Sequence, residues 1–175
     1  MRPWASAIAA LLVALAPARA LAAERMISFE PVSPDARRLT GAGITVMFTD
    51  RLVGQRVNRL LATAIPAQAN LKRAPAKALG ALQVEDLGDL YAIDGKSAQG
   101  AVYVRAFCPG SKQAWLAFNR IGRGELTVQA LGDNPADSGN ARLCATMVFR
   151  FKGEWTLPPR AAPDPMEETR DTVPF

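Results

Sequence analysis

Residues 141–151 read ARLCATMVFRF, and apolar and polar side chains alternate along this stretch. A period of two over this length is typical of a β-strand that buries one face. Cys144 falls on the second, mostly polar face, so we expect it to lie away from the main core. The expected buried face consists of Leu143, Ala145, Met147, Phe149 and Phe151.

The preceding part of the chain, from about residue 82, shows the same β-type pattern in shorter pieces. Turn-forming residues separate these pieces, including Asp94-Gly95, Pro109-Gly110 and Gly122-Arg123-Gly124. Short strands separated by turns at this spacing predict an antiparallel meander. The predicted strands are 90–93, 101–107, 114–119, 126–131 and 141–151.

The N-terminal half contains two further strand candidates, 26–32 and 44–48. Between them, Ser33 and Pro34 predict the start of a helix of one or two turns. The segment 50–65 is predicted to be an amphipathic helix that ends at Pro66, and 66–80 is predicted to be a loop with a helical turn. Apolar residues recur at helical spacing within 50–65, namely Val53, Val57, Leu60, Leu61 and Ala64. The expected fold is therefore α+β, a predominantly antiparallel β-sheet with one amphipathic helix in the N-terminal half.

The two ends of the chain differ in composition from this domain. Arg2 precedes an uninterrupted apolar run over 8–16, and small residues follow Pro17. That order predicts a signal peptide over 1–23, cleaved after Ala20 or nearer Ala23. The apolar segment is too short for a spanning helix, which needs about 20 residues, so no transmembrane span is expected in the mature chain. We expect one globular domain over 24–157 and a disordered tail over 158–175, which is rich in proline and acidic residues.

Cys108 and Cys144 are the two cysteines of the chain. An exported chain reaches an oxidising compartment, so we expect them to form a disulfide bond. Two reduced thiols in the core are the alternative.

Charge is distributed unevenly within a formal net charge of +5. Basic residues dominate from Arg25 to Gly80, and acidic residues dominate from Glu85 to Asp94. If the predicted helix packs its apolar side on the sheet, Arg51 and Arg59 point outward and Arg56 lies at the boundary. These three arginines are the predicted binding site for an anionic surface, unless the acidic run pairs with them internally.

Several kinds of chemistry are excluded or weakly supported. The chain contains no histidine, which excludes Ser-His-Asp and Cys-His catalysis and His-containing zinc sites. No metal site, cofactor or catalytic residue is predicted. Three acidic side chains, those of Glu85, Asp86 and Asp89, could in principle support carboxylate-dependent hydrolysis of an envelope sugar polymer. A solvated loop is the simpler interpretation of this acidic run.

The sequence therefore favours a non-enzymatic accessory or binding protein of the cell envelope over this hydrolase. Heavy use of Ala and Arg is typical of GC-rich bacterial genomes, which would place the exported protein in the periplasm. The expected partners are an anionic envelope surface or another exported protein, for which it could act as an inhibitor or chaperone. Aromatic and basic residues alternate around Trp115, Phe118 and Arg120, a pattern that can bind nucleic acid. Export argues against nucleic acid as the partner.

Overall fold

The computed structural model describes residues 24–50, 55–82 and 88–157. Within them the chain forms eight strands, two α-helices and one 3-10 turn. The predicted signal peptide and C-terminal tail lie outside the described residues. The elements are β1 Glu24–Pro31, α1 Pro34–Thr40, β2 Ile44–Asp50, β3 Gln55–Ala62, β4 Gln68–Arg73, the 3-10 turn Ala76–Leu79, β5 Asp89–Ile93, α2 Ala98–Phe107, β6 Ala114–Phe118, β7 Glu125–Asn134 and β8 Asp137–Leu157.

Each strand pairs antiparallel with the next one in sequence, and β1 pairs with β8 to close a barrel. Closure gives each of the eight described strands a neighbour on both sides, which removes the open sheet edges that can pair with another chain. The predicted antiparallel meander is thus confirmed, and it extends over the N-terminal half as well.

Successive connections of such a meander lie at alternating ends of the barrel. The helix α1 joins β1 to β2 and α2 joins β5 to β6, so both helices lie at one end, which we call the helical end. The β4–β5 and β6–β7 connections lie at the opposite end. We call that opposite end the mouth end.

The barrel interior is filled by the main hydrophobic core. Its largest side chains are fully buried aromatic rings that project from five strands and α2. An eight-stranded barrel is just wide enough for side chains to fill its interior, and here they fill most of it. These rings are Phe29, Phe48, Tyr91, Tyr103, Phe107, Phe118 and Phe149.

A smaller apolar cluster lies on the outer face of the barrel. Leu79 of the 3-10 turn packs there against Leu90 and Leu131 and is almost fully buried. The β4–β5 connection therefore covers part of the outer surface of the sheet.

The predicted helix over 50–65 is wrong. From Gln55 to Ala62 the chain is strand β3, paired with β2. The register shifts between Met47 and Phe48, so that Phe48 lies opposite Val57 and Met47 lies opposite Arg59. This bulge places Val57 and Leu60 on the same inner face although they are three residues apart, which is also the spacing of a helical face.

The predicted strand over 101–107 is wrong as well, because this segment lies in α2. Ser97 is the N-cap of that helix, and its hydroxyl accepts a hydrogen bond from Gly100 N at 3.0 Å. The side chains of Tyr103, Val104 and Phe107 are buried at helical spacing. These residue types favour strands intrinsically, but their packing against the core stabilises the helix instead, since tertiary contacts override intrinsic secondary-structure preference.

The segment 66–80, predicted as a loop with a helical turn, contains strand β4, which was not predicted, and the 3-10 turn, which agrees with the predicted helical turn. Only Ala69 and Leu71 of β4 are buried. Two apolar side chains are too few to produce a visible alternation in the sequence.

Candidate functional site

A cavity of about 220 Å³ opens at the mouth end of the barrel. We call it the mouth. Its apolar walls are Phe48 from β2, Val57 from β3, Tyr91 from β5 and Ile121 from the β6–β7 connection. Asp89, Asn119 and Arg120 supply its polar lining.

The walls of the mouth are held by packing, by the strand ladders and by a hydrogen bond between Tyr91 and the backbone of β3. β3 and β4 pair only from Arg59–Asn70 to Leu61–Gln68. Beyond that ladder, the hydroxyl of Tyr91 accepts a hydrogen bond from Val57 N at 3.4 Å. The Tyr91 ring also contacts the Phe118 ring edge to face, with centroids 5.7 Å apart.

The phenol of Tyr91 stays neutral at physiological pH. Burial raises its pKa above the ordinary value of 10.0, and the hydrogen bond from Val57 and the charges of Arg73 and Arg56 oppose that rise only in part. A neutral phenol adds no charge to the mouth, and its ring serves as an apolar wall.

The polar lining contains one cation without a counter-ion. Asp89 is ion-paired with Arg73 at 2.5 Å, and Asn119 Oδ1 accepts a hydrogen bond from Thr127 N at 3.0 Å. Arg120 is exposed, and within the described part of the chain no hydrogen bond or ion pair engages its guanidinium group. Its five N–H donors are therefore available to a ligand.

An ion-pair network lies beside the mouth. The guanidinium carbon of Arg25 lies 4.9 Å from the centroid of the Phe48 ring, and Arg25 Nε donates to Glu154 Oε1 at 2.9 Å. Arg123 Nε donates to the other oxygen of the same carboxylate at 3.2 Å. One face of the Phe48 ring is thus covered by a cation that already has a partner.

These contacts determine how Glu154 responds to pH. The hydrogen bond from Arg25, with smaller contributions from Arg123, holds the pKa of Glu154 below its ordinary value of 4.5. A carboxyl group with a lowered pKa stabilises the fold above its ordinary pKa, and this contribution is lost as the pH falls through the lowered value. The network is therefore intact at neutral pH.

Among the residues that the structure describes, charge around the mouth is positive on balance. The described residues that line the mouth, act on Tyr91 or form the adjacent network include five guanidinium groups and two carboxylates, and each carboxylate is already paired with an arginine. The five arginines are Arg25, Arg56, Arg73, Arg120 and Arg123.

The two cysteines form the predicted disulfide, with their Cα atoms 5.4 Å apart. The position expected for Cys144 is wrong, because Cys144 packs against the main core. Opposite Ala130 and Leu131 the register of β8 skips one residue, from Ala145 to Leu143. This bulge turns Cys144 inward toward Cys108 and leaves the Leu143 side chain 50% exposed.

The structure separates the other predicted site residues. Arg51 lies outside the described residues. Arg56 and Arg59 lie on strand β3, and Arg59 is ion-paired with Glu24. Among the acidic candidates, Glu85 and Asp86 lie outside the described residues, and Asp89 lines the mouth.

Sequence reasoning missed the mouth because its lining comes from three strands and a connection that are distant in sequence. One sequence pattern did include a residue of the mouth, namely the alternating aromatic and basic residues around Phe118 and Arg120. Phe118 belongs to the core and Arg120 belongs to the mouth.

The described residues contain no cluster of three or more Cys, Asp or Glu side chains that could hold a metal ion. No helix within 24–50, 55–82 and 88–157 is long and apolar enough to cross a membrane. Comparisons with protein-family models, with curated proteins and with solved structures found no match to this chain.

Proposed function

We propose that this chain is an exported, non-enzymatic binding protein of the cell envelope that holds a small ligand in the mouth of its barrel. The observation that carries the proposal is the 220 Å³ cavity with apolar walls at one end of a closed barrel. Barrel mouths are a preferred location for small-molecule sites, where apolar walls combine with a few polar groups.

The size of the mouth limits the ligand to a small molecule. A buried cavity of about 150 Å³ is enough to hold benzene. The mouth is somewhat larger, and the rings of Phe29, Phe118 and Phe149 fill the barrel beyond it. The ligand is therefore expected to be about the size of a substituted benzene ring.

Export is supported by the Cys108–Cys144 disulfide, since such bonds persist in oxidising compartments such as the periplasm. The composition of 1–23 supports it independently. As further partners we propose an anionic envelope surface or another exported protein, which Arg56 and its basic neighbours would contact.

The alternative, a carboxylate-dependent hydrolase, has less support from the geometry. A general acid needs a raised pKa, whereas the pKa of Glu154 is lowered by its arginine partners. Asp89 is engaged by Arg73. We therefore keep binding as the proposed function.

The experiment is a titration of the purified protein with two small probes, benzyl alcohol and benzoate. Amide chemical shifts in a 15N–1H correlation spectrum report where each probe binds. We expect saturable shifts for at least one probe, concentrated at residues that line the mouth, such as Val57, Asn119 and Ile121.

Filling the cavity should remove this binding. Val57 is almost fully buried and lines the cavity, so Val57→Phe occupies the space, and Ile121→Trp does so from the β6–β7 connection. Val102→Phe is the matched control, because Val102 is 36% exposed on α2 at the helical end. If neither probe gives saturable shifts at the mouth, or if both filled variants bind like the control, the proposal is wrong.

A further inference from the structure

We infer that the ligand of the mouth is a small carboxylate with an apolar ring, and that Arg120 binds its carboxylate while Phe48 and Tyr91 contact the ring. This inference rests on the proposed function and adds the chemical class of the ligand.

The aromatic walls favour a flat ring. The Tyr91 ring is held by burial and by its edge-to-face contact with Phe118, with a smaller contribution from the long hydrogen bond at its hydroxyl. The Phe48 ring is fixed on one side by the Arg25 guanidinium. Aromatic pairs in offset or edge-to-face geometry are more favourable than their buried area alone predicts, so two rigid rings select a ring-shaped ligand over a flexible chain.

The charge distribution favours an anion. Asp89 and Glu154 are both neutralised by arginines of this chain, so neither repels a negative ligand strongly. Arg120 is the lining cation that no described residue neutralises. A ligand anion would complete the pairing of charges around the mouth.

A carboxylate fits a single arginine better than a more highly charged group does. The planar guanidinium group can donate two parallel hydrogen bonds to the two oxygens of a carboxylate. The amide nitrogen of Asn119 adds a donor in the same lining, because the hydrogen bond from Thr127 occupies its oxygen. A dianionic phosphate would need counter-charges that the mouth has already paired with Asp89 and Glu154.

The test compares the dissociation constants of benzoate and benzyl alcohol, which share a ring and differ in charge. We expect benzoate to bind about tenfold more tightly at low salt, the size of effect that one charge-assisted hydrogen bond can give. This preference should decrease as salt is raised, because screening weakens an exposed ion pair.

Variants test whether Arg120 causes the preference for benzoate over benzyl alcohol. Arg120→Gln should weaken benzoate binding much more than benzyl alcohol binding, so that most of the preference for benzoate is lost. Arg105→Gln is the matched control, since Arg105 is exposed on α2 at the helical end and its replacement changes the net charge equally. Arg120→Lys should retain part of the preference, because it keeps the charge and loses the planar fork.

Three results would overturn the inference. Equal affinity for the two probes, or an unchanged preference in Arg120→Gln, would show that Arg120 does not select an anion. Hexanoate binding as tightly as benzoate would show that Phe48 and Tyr91 do not favour a ring-shaped ligand over a flexible chain. All three results leave the proposed function standing, whereas failure of every probe to bind at the mouth would refute both.

Discussion

Two tyrosine hydroxyls complete the hydrogen bonding of the backbone where strand pairing stops. Tyr103, on α2, is fully buried; its hydroxyl accepts from Ala62 N at 2.9 Å and donates to Ala67 O at 2.8 Å. It thereby bridges the two ends of the β3–β4 connection. Tyr91 performs a related role at the mouth through its single bond from Val57 N. Buried backbone groups need such partners because leaving them unpaired is costly.

The Tyr103 bridge predicts a clear loss of stability in Tyr103→Phe. Removing the hydroxyl leaves a buried backbone donor and an acceptor without their partner, and we expect a loss of about 1–3 kcal/mol in the free energy of unfolding. Urea denaturation followed by circular dichroism measures it.

Tyr91→Phe is the comparison variant. Its hydroxyl accepts only one hydrogen bond, at 3.4 Å, which is longer than the usual range. The loss should be smaller than for Tyr103→Phe. Equal losses in the two variants would contradict the role assigned to the Tyr103 bridge.

At the scale of elements, local sequence signals identified most strands and failed where a bulge interrupts the alternation of inward-facing and outward-facing side chains. The strands near 44–48 and 126–131 have a regular alternation, whereas those near 90–93 and 114–119 are short apolar runs bounded by turn residues, and the structure confirms all four as strands. In β3, the bulge opposite Phe48 places inward-facing residues three apart, which is the spacing of a helical face. In β8, the bulge at Cys144 exchanges the inner and outer faces for the residues that precede it. A bulge depends on the partner strand, so one strand's sequence does not reveal it.

The disulfide fixes a helix to a strand at the helical end. Cys108 ends α2 and Cys144 lies in the β8 bulge. Gly132 of β7 makes room for the bond, since a Cβ atom there would lie 2.9 Å from Cys108 Sγ. The bond closes a loop across 36 residues of sequence.

Replacing both cysteines by alanine should lower stability by about 3–4 kcal/mol, the chain-entropy value for a loop of this length. A reducing agent should lower the melting temperature of the wild-type protein and leave that of the double variant unchanged. Two titratable thiols in denatured, unreduced protein from its native compartment would contradict the bond.

At the scale of the whole molecule, the closure of the barrel could not be read from the sequence. The antiparallel character of the described part of the chain was visible from strand spacing. Closure depends on pairing β1 with β8, two strands at opposite ends of the domain. The mouth depends on that closure, because a curved sheet is what brings Phe48, Tyr91 and Ile121 around one cavity.

The seam between β1 and β8 should therefore control the stability of the whole barrel. Phe29 on β1 is fully buried, and its ring contacts Phe151 of β8 edge to face at 6.4 Å. Phe29→Ala removes this contact and leaves a cavity, for which we expect a loss of about 3–5 kcal/mol. Val32→Ala is the control, because Val32 is 40% exposed just beyond the seam and should change stability by less than about 0.5 kcal/mol.

Opening the seam exposes two strand edges and the aromatic core between them, so no part of the barrel should remain folded once it opens. Tryptophan fluorescence, from Trp115 on β6 and Trp155 on β8, and far-ultraviolet circular dichroism should then report one coincident transition in urea for both wild type and Phe29→Ala. Folding should be slow, on the order of milliseconds to seconds, since the seam joins residues distant in sequence. Two separated transitions, with β8 fluorescence changing before the bulk of the strand signal, would show that the barrel opens at its seam without unfolding.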